Sequence, residues 1–378
     1  MHLSRLFDLT DTVKLEKGDD DLVITHLTSD SRNVRKGSLF AAISGNLSDG
    51  HNYIDSAIKN GAVAILADGR DLAILDDIAL LRADNVRGCF AIACSKFWPS
   101  RPSFTVAVTG TNGKTSTAEF LRQLWERNTW NAVSLGTLGA RSSTVLKVPS
   151  SGLTTPSSEY FFSALNSFSK QNISYLAIEA SSHGLEQQRM NGLKVQVAVF
   201  TNLTRDHLDY HSNMDAYFES KQKLFLDYLA DGGHAVINID DPYGKKLLEN
   251  VRKRPVSIIT FGEDLQADFR IESIKPTGYG LELNVLFKGK KYTCPLGLTG
   301  TFQASNALAA GASAYLSGLP VEIALRSLSF LSAIDGRMQP IYGHPKNAII
   351  VIDYAHTPDA LEQVLLSLKK QTEKQVHL

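Results

Sequence analysis

The sequence predicts an α/β protein. Short runs rich in β-branched residues alternate with helix-like stretches along the chain, and no repeat or low-complexity block interrupts them. Hydrophobic residues make up 43% of the 378 residues and charged residues 21%, a composition typical of a globular protein with well-formed cores. At roughly 150 residues per domain, this length predicts about two and a half domains.

A first, smaller α/β section is expected before residue 98. Strands are predicted at residues 39–43 and 62–66, with a short helix at residues 54–60 between them. Two prolines in segment 98–102 prevent continuation of a helix and predict a linker there.

A larger α/β section follows the linker. A buried strand is expected at residues 105–108, and a glycine-containing turn leads from it into a helix at residues 115–128. Further strands are expected at residues 175–178, 196–201, 235–239 and 256–261.

A last section begins near Asp335. It is expected to contain a strand at residues 349–352 and a helix at residues 359–370 with its apolar side chains on one face. One strand and one helix are too little to bury a core alone, so this section is expected to be the beginning of a further domain.

The even charge balance limits the partners that the sequence predicts. Lys and Arg together number 39, and so do Asp and Glu. Without an overall positive field, we expect binding neither to nucleic acid nor to a membrane surface, so an anionic ligand must be held by a local site. No stretch approaches the ~18 apolar residues of a membrane span, and the acidic N-terminal segment does not resemble a signal peptide. We therefore expect a cytoplasmic protein.

The three cysteines indicate a reducing compartment. Cys89, Cys94 and Cys294 show neither the even count of a disulfide framework nor the paired spacing of a zinc site. We interpret all three as thiols of the core.

The turn after residue 108 has the features of a phosphate-binding loop. It lies between a predicted strand and a predicted helix, where backbone N–H groups converge on phosphate oxygens. Lys114 can neutralise the phosphates, and the Thr115 hydroxyl can ligate Mg²⁺. Val108 stands where the strict motif has glycine, so the loop is a variant; the alternative is an ordinary turn that carries Gly-Lys-Thr. The residues expected to bind nucleotide here are Gly110, Thr111, Asn112, Gly113, Lys114, Thr115 and Ser116.

Polar residues follow two further predicted strands. Glu179 ends one of them, and Asp206 and His207 follow the other, at the edge where open α/β sheets bind ligands. Glu179 is therefore a candidate magnesium ligand. Taken singly, Glu179 also fits a capping carboxylate, His207 an interior histidine and Asp206 a helix start. Lys221, on a predicted helix with Glu219 and Lys223, by itself indicates a lysine on a solvated face.

Four separated motifs carry a resemblance to a known family. They are residues 110–115, 179–185, 202–211 and 353–360. In this order they resemble the Mur ligases, and the resemblance runs from about Ser29 to the end of the chain. It implies a three-domain architecture with a central P-loop ATPase domain on a mostly parallel sheet.

The resemblance also implies the domain boundaries. A UDP-sugar-binding domain is expected over residues 1–100, an ATP-binding ligase domain over residues 101–335, and the start of an amino-acid-binding domain over residues 336–378. The family's C-terminal domain extends further, so most of it is expected to lie beyond Leu378, together with the motif that selects the added amino acid.

The activity implied is ATP-dependent amide ligation in peptidoglycan precursor synthesis. The implied partners are UDP-N-acetylmuramoyl-L-alanyl-D-glutamate, whose terminal carboxylate becomes an acyl phosphate, and a diamino acid, either meso-diaminopimelate or L-lysine. The implied cofactors are ATP, two Mg²⁺ ions and a CO₂-derived carbamate on Lys221, which stands at the family's spacing after Tyr217. A carbamate is an anion that can ligate magnesium, whereas an ammonium cannot. The protein is expected to be a monomer.

Residue roles carry over from the resemblance position by position. Lys114, Glu179, His207 and Lys221 are implied to be catalytic, and Thr115, Glu179, His207 and carbamylated Lys221 to attend the metal ions. Besides the loop, the residues implied to bind the nucleotide are Asn202, Asn306, Arg337, Asp353 and His356. Those implied to bind the UDP-sugar are Ser29, Ser31, Asn46, Leu47 and Ser48, and those implied to bind the muramoyl-dipeptide are Thr154, Thr155, Ser181, Gln187 and Arg189.

Two alternatives stay open, and two positions depart from the family pattern. One alternative is a catalytically silent remnant that still binds UDP-sugar or ATP. The other is a folylpolyglutamate synthase, which is disfavoured because Asp30-Ser31-Arg32 fits a UDP-muramoyl ligand and not a pterin. Gln303 stands where the family usually has Asn, and Asp335 where it usually has Pro.

Overall fold

A computed structural model gives the fold. It describes residues 1–9, 12–45, 48–72, 77–144, 146, 148, 152–206, 210–277, 280–345, 348–372 and 376–378, with the side chain of Asp359 excepted. Asn46, Leu47 and His207, which are predicted site residues, lie outside the described residues.

Strands and helices alternate along the chain, which confirms the predicted α/β class. The described strands are β1 (Lys14–Lys17), β2 (His26–Thr28), β3 (Ser38–Ala41), β4 (Ala62–Ala67), β5 (Ala79–Arg82), β6 (Phe104–Thr109), β7 (Ala132–Gly136), β8 (Gly139–Arg141), β9 (Tyr175–Glu179), β10 (Val195–Phe200), β11 (Leu229–Asn238), β12 (Ser257–Gly262), β13 (Phe269–Thr277), β14 (Gly280–Phe287), β15 (Lys290–Leu296), β16 (Gln339–Ile341) and β17 (Ile350–Ile352). The described helices are α1 (Leu3–Leu6), α2 (Ile54–Lys59), α3 (Val86–Phe97), α4 (Lys114–Arg127), α5 (Ser158–Lys170), α6 (Ser182–Glu186), α7 (Met214–Lys223), α8 (Pro242–Val251), α9 (Thr301–Leu316), α10 (Val321–Ser327) and α11 (Pro358–Gln371).

The chain forms two compact units. The first, unit 1, comprises residues 1–101, 156–171 and 184–193, and the second, unit 2, comprises residues 102–155, 172–183 and 194–378. The domain boundaries at residues 100 and 335 remain predictions.

Unit 1 is built on a five-stranded sheet. Its strand order is β1-β5-β4-β3-β2, in which β2 to β5 run parallel and β1 is an antiparallel edge strand. Phe40, Ile65 and Leu80 from three of these strands and Ala57 from α2 are buried in one cluster. The parallel strands place the residues that follow β2 and β3 at one edge of the sheet.

Unit 2 is built on a ten-stranded sheet with the order β15-β14-β13-β12-β11-β10-β6-β9-β7-β8. The strands from β13 to β7 in that order run parallel, while β8, β14 and β15 pair antiparallel at the two ends. Helices α4 and α9 pack on one another, and Leu121 and Leu308 lie with the sheet residues Val106 and Val199 in the main core. The carboxyl ends of β6, β7, β9, β10 and β11 therefore meet at one edge.

The cysteines are all free thiols, but they are not equally buried. Cys94 and Cys294 are buried, as predicted, and burial raises the pKa of Cys294 to about 11. Cys89 is only half-buried, so its assignment to the core was wrong. It lies on α3, three residues after the N-terminal end of that helix.

Within the part of the chain that the structure describes, no helix has both the length and the apolar character needed to cross a membrane.

Two Leu→Ala substitutions, one on α4 and one at an exposed position, should differ in their effect on stability. Leu121 is completely buried in the unit 2 core, whereas Leu265 is 81% exposed. We expect Leu121→Ala to lower the free energy of unfolding by about 2–5 kcal/mol, because it leaves a cavity. Leu265→Ala should change it by less than about 0.5 kcal/mol. Urea unfolding followed by tryptophan fluorescence measures both; equal effects would contradict the packing of α4.

Candidate active site

The loop between β6 and α4 has the geometry expected of a phosphate-binding loop. Gly113, the residue before α4, has a φ of +85°, which favours glycine. A Cβ atom on Gly110 would collide with the Thr201 hydroxyl, and one on Gly113 would collide with the Asn306 side chain. These neighbours leave room for glycine but not for a larger residue at either position.

Hydrogen bonds fasten this loop to the end of β10. The Asn112 N–H group donates to Asn202 Oδ1 at 2.9 Å, and Thr201 Oγ1 donates to the Asn112 carbonyl at 2.6 Å. The Thr111 N–H group donates to the Asn202 carbonyl at 2.9 Å. Asn202, predicted to lie near the nucleotide, therefore also fixes the loop's conformation.

The Lys114 ammonium lies over the loop. Its Nζ donates to the carbonyl oxygens of Gly110 at 2.9 Å and Thr111 at 2.7 Å. Burial lowers the pKa of this lysine, while the Glu179 carboxylate acts in the opposite direction. These two hydrogen bonds thus hold the Lys114 ammonium, which we expect to neutralise phosphate charge, at the loop.

Glu179 and Thr115 place a carboxylate oxygen and a hydroxyl oxygen side by side next to the loop. Thr115 Oγ1 donates to Glu179 Oε2 at 2.9 Å, and the Thr137 N–H group donates to Glu179 Oε1 at 2.8 Å. Burial raises the pKa of Glu179, and the charge of Lys114 lowers it. A hydroxyl and a carboxylate oxygen are the ligands that Mg²⁺ prefers, so this pair fits a magnesium site.

Thr137 was not among the predicted site residues. Its hydroxyl donates to Glu179 Oε2 at 3.2 Å and lies 3.0 Å from Thr154 Oγ1. The signal for it was its position directly after β7, another parallel strand whose carboxyl end reaches this edge.

Lys221 is buried, with 1% of its surface exposed. Its Nζ donates to the Gly110 carbonyl at 2.8 Å and lies 4.3 Å from the centre of the Tyr217 ring. Burial lowers the pKa of Lys221 well below its usual range; the charge of Lys114 lowers it further and that of Asp206 opposes this. The interpretation of Lys221 as a solvated-face lysine was therefore wrong, because α7 turns this face inward.

Unit 2 contains a cavity of about 510 Å³ that is lined in part by the phosphate-binding loop. Of the residues predicted to bind nucleotide, those that line it are Thr111, Asn112, Gly113, Lys114, Thr115, Ser116, Asn202, Asn306, Arg337, Asp353 and His356. Thr154 and Glu179 line it as well. One cavity thus collects side chains that lie as far apart in the sequence as Thr111 and His356.

The residues from the C-terminal part of the chain have further partners. Arg337 Nη2 donates to Thr115 Oγ1 at 3.2 Å. The Asp353 carboxylate accepts the N–H groups of Met338 at 2.7 Å and Ala355 at 2.8 Å, so it also shapes the backbone around Arg337. His356 Nδ1 lies 2.9 Å from the Tyr354 carbonyl.

The two departures from the family pattern both have partners in unit 2. Gln303 is buried and accepts a hydrogen bond from Asn306 Nδ2 at 2.9 Å. Asp335 forms an ion pair with Arg141 at 2.7 Å. Both substitutions are therefore accommodated by local contacts.

The predicted muramoyl-dipeptide residues fall into two groups. In unit 2, Thr155 Oγ1 donates to the Glu179 carbonyl at 2.8 Å and lies 3.0 Å from Ser181 Oγ. In unit 1, Arg189 Nη2 donates to Gln187 Oε1 at 2.7 Å. The first group adjoins the cavity through Thr154.

The predicted UDP-sugar residues that are described lie in unit 1. Ser29 follows β2, and its hydroxyl donates to Glu159 Oε1 at 2.8 Å. Ser31 begins a short 3₁₀ turn, and its carbonyl accepts from Asn60 Nδ2 at 3.2 Å. Ser48 lies in the loop that follows β3, where its carbonyl accepts the Gly45 N–H group at 2.8 Å.

Comparisons with known proteins identify a family over most of the chain. Residues 108–314 match the model of the Mur ligase middle domain, and residues 23–97 match the model described as Mur ligase family, catalytic domain.

Curated relatives and a solved structure agree with these matches. A UDP-N-acetylmuramoyl-L-alanyl-D-glutamate–2,6-diaminopimelate ligase of Zymomonas mobilis is 37% identical over 359 residues, covering 95% of this chain and 73% of the relative. An enzyme of the same name from Caulobacter vibrioides is 38% identical over 360 residues, covering 93% and 73%. A solved structure of that name superposes with a TM-score of 0.84 at 28% identity, covering 99% of this chain and 75% of the other.

The burial of Lys221 predicts a pH-dependent stability effect. Its pKa is lowered on folding, so above that lowered value the unfolded chain binds a proton that the folded protein lacks. Up to pH ~10.4, where the unfolded lysine titrates, this group makes stability rise with pH by at most about 1.4 kcal/mol per unit. Lys221→Met removes this dependence, so the variant should be more stable than the parent at pH 7.5, with the difference shrinking towards pH 10.

Thermal unfolding in CO₂-free buffer from pH 7.5 to 10 measures this difference. The control is Lys246→Met, since Lys246 carries an exposed side chain on α8 and should show no such trend. The compared quantity is the stability of Lys221→Met minus that of the parent. A smaller difference at pH 7.5 than at pH 10 would contradict burial of the amine.

Proposed function

Because this chain belongs to the Mur ligase family, we propose that it uses ATP to join a diamino acid to UDP-N-acetylmuramoyl-L-alanyl-D-glutamate. The observation that carries this proposal is the convergence of Lys114, Lys221 and the Thr115–Glu179 pair around one phosphate-binding loop. The two curated relatives named above, at 37% and 38% identity, are diaminopimelate ligases, which favours meso-diaminopimelate over L-lysine as the added amino acid.

The proposed chemistry has two steps. A carboxylate is a poor acyl donor, so its oxygen first attacks the γ-phosphorus of ATP; the bond to the bridging oxygen breaks and ADP leaves. The amine then attacks the carbonyl carbon of the acyl phosphate, loses a proton and expels inorganic phosphate. Both steps bring anions together, so positioning and charge neutralisation are what the protein must supply.

The loop residues are suited to the first of these steps. The N–H groups at the start of α4 and the Lys114 ammonium present positive charge to phosphate oxygens. When phosphate binds, Lys114 can exchange its two carbonyl partners for phosphate oxygens without leaving the loop. Asn306 and Arg337, which line the same cavity, would face the rest of the nucleotide.

Magnesium would be held by Thr115 and Glu179. Their oxygen atoms lie 2.9 Å apart, and the Thr115 hydroxyl oxygen has lone pairs that could ligate a cation. The ion supplies neutralisation of phosphate charge when bound. The Thr137 N–H group holds the other carboxylate oxygen of Glu179. We also propose His207 as a ligand of a second ion.

A carbamate on Lys221 is also supported by the environment of its amine. Carbamylation joins a neutral amine nitrogen to the carbon of CO₂ and releases a proton, and burial, which lowers the pKa of this amine, favours its neutral form. The Lys114 ammonium, which shares the Gly110 carbonyl with Lys221, is a cation positioned to favour the resulting anion. We therefore propose that Lys221 acts as a carbamate.

For the UDP-sugar, we propose the carboxyl edge of the unit 1 sheet. Ser29 and Ser31 follow β2 and Ser48 follows β3 there, and open α/β sheets bind ligands at this edge. Asn46 and Leu47 are proposed with them from the family resemblance. Arg189, whose planar guanidinium suits carboxylate and diphosphate oxygens, is proposed for the muramoyl-dipeptide with Gln187, Thr154, Thr155 and Ser181. A reaction that consumes ATP and a protein with three free thiols favour a cytoplasmic location. We also propose that the protein is a monomer.

Lys114→Ala tests the phosphate loop. The variant should lose at least about 100-fold in phosphate release with ATP, Mg²⁺, the UDP-linked dipeptide and diaminopimelate, because a buried charge that faces the transferred phosphoryl group is removed. ATP affinity is measured in parallel by calorimetry, and Lys246→Ala is the control. Ligation unchanged in Lys114→Ala would contradict the proposal, and ATP binding by the parent without phosphate release would favour the silent alternative.

Lys221→Ala tests the carbamate. Removing the amine should abolish turnover, and acetate or propionate should restore part of it by placing a carboxylate in the vacated space. Lys246→Ala should neither lose turnover nor respond to these carboxylates. Unchanged turnover in Lys221→Ala would remove the role assigned to this residue.

A further inference from the structure

Ser29 and Glu159 form a hydrogen-bonded pair in unit 1. The Ser29 hydroxyl donates to Glu159 Oε1 at 2.8 Å, and the Ser29 N–H group donates to the same oxygen at 3.3 Å. Ser29 follows β2 directly, and Glu159 lies in the first turn of α5. The two donors fix the hydroxyl's orientation relative to the backbone.

This pairing determines what Ser29 can offer a ligand. A serine hydroxyl has one hydrogen and two lone pairs, whereas an ionised carboxylate only accepts hydrogen bonds. Since the hydrogen of Ser29 points to Glu159, the oxygen of Ser29 can only accept a hydrogen bond from a further partner. A ligand group that binds at Ser29 must therefore be a donor.

Neighbouring groups at the end of β2 do not compete for Glu159. The Asp30 carboxylate pairs with Arg32 at 2.7 Å, and the Thr28 hydroxyl exchanges hydrogen bonds with the Asp30 backbone. Glu159 Oε2 is buried and has no hydrogen-bond partner among the described residues. Nothing within this part of the chain therefore draws the carboxylate away from Ser29.

We propose that Glu159 is a positioning residue that makes Ser29 a hydrogen-bond acceptor and thereby selects uracil over cytosine in the nucleotide sugar. This inference rests on the proposed binding of a UDP-linked substrate in unit 1. Uracil carries an N–H donor at ring position 3, whereas cytosine carries a lone pair there. Uracil can donate to Ser29, but cytosine would set one acceptor against another.

Calorimetric titration of the whole chain with UDP and with CDP tests this selection. A non-hydrolysable ATP analogue is present at saturation, so that the unit 2 cavity is filled. The parent should bind UDP more tightly than CDP. In Glu159→Ala the Ser29 hydroxyl is free to turn and donate to cytosine, so CDP should bind about three- to tenfold more tightly relative to UDP.

A second variant and a double variant separate positioning from general damage. Ser29→Ala should weaken UDP binding by about three- to tenfold and, because it removes the acceptor that opposes cytosine, should not weaken CDP binding. In that background, Glu159→Ala should no longer change the ratio of the two affinities. Loss of a negative charge alone affects both nucleotides equally, so Asp55→Ala, which removes an exposed acid from the first turn of α2, should leave the ratio as in the parent.

The outcomes distinguish this inference from the function on which it rests. If the parent does not bind UDP, the proposed UDP-sugar site is wrong and the inference falls with it. If the parent binds UDP but Glu159→Ala and Ser29→Ala leave the UDP to CDP ratio unchanged, the UDP-sugar site stands and the role of Glu159 is overturned. Affinity for the ATP analogue, unchanged in every variant, shows that unit 2 is intact.

Discussion

The carbonyl oxygen of Gly110 is the point on which the candidate site depends. It accepts hydrogen bonds from both Lys114 and Lys221, which come from different helices and are 107 positions apart by their numbers. Two ammonium groups on one carbonyl repel each other, and burial lowers the pKa of Lys221, the less exposed of the two lysines, further than that of Lys114. The same carbonyl therefore binds the Lys114 side chain to the loop and brings a second amine, whose neutral form is favoured, close to it.

Parallel strand topology explains why the remaining groups gather at this carbonyl. The ends of β6, β7, β9 and β10 lie at one edge, so the loop, Thr137, Glu179 and Thr201 become neighbours although the chain between them is long. Glu179 receives a hydroxyl from the start of α4 and an N–H group from the end of β7. A buried carboxylate is tolerated here because its oxygen atoms are hydrogen-bonded.

The sequence predicted the parts of the site that have a strong local pattern. The loop was recognisable from Gly-Lys-Thr between a strand and a helix, and Glu179 from its place at a strand end. Lys221 was misjudged from its charged neighbours, although the apolar Tyr217 and Phe218, four and three residues earlier, lie on the same helical face and are buried with it. Helix α9, which is buried on nearly every side, has no amphipathic period by which to find it. Asn306 was found through the family resemblance, and its contact with Gln303 follows only from the fold.

The division of the chain into two units has a consequence for how the protein is made. The path passes from one unit to the other five times, the last time after residue 193. Neither unit is a continuous segment, so the first cannot complete its packing during synthesis until half of the chain has left the ribosome. A single cut in the segment 98–102 would likewise leave the two units joined by the other four connections. Ser29 follows β2 and Glu159 lies in α5, and the chain between them passes through β6 of the other unit. The Ser29–Glu159 hydrogen bond can therefore form only after β6 has been synthesised.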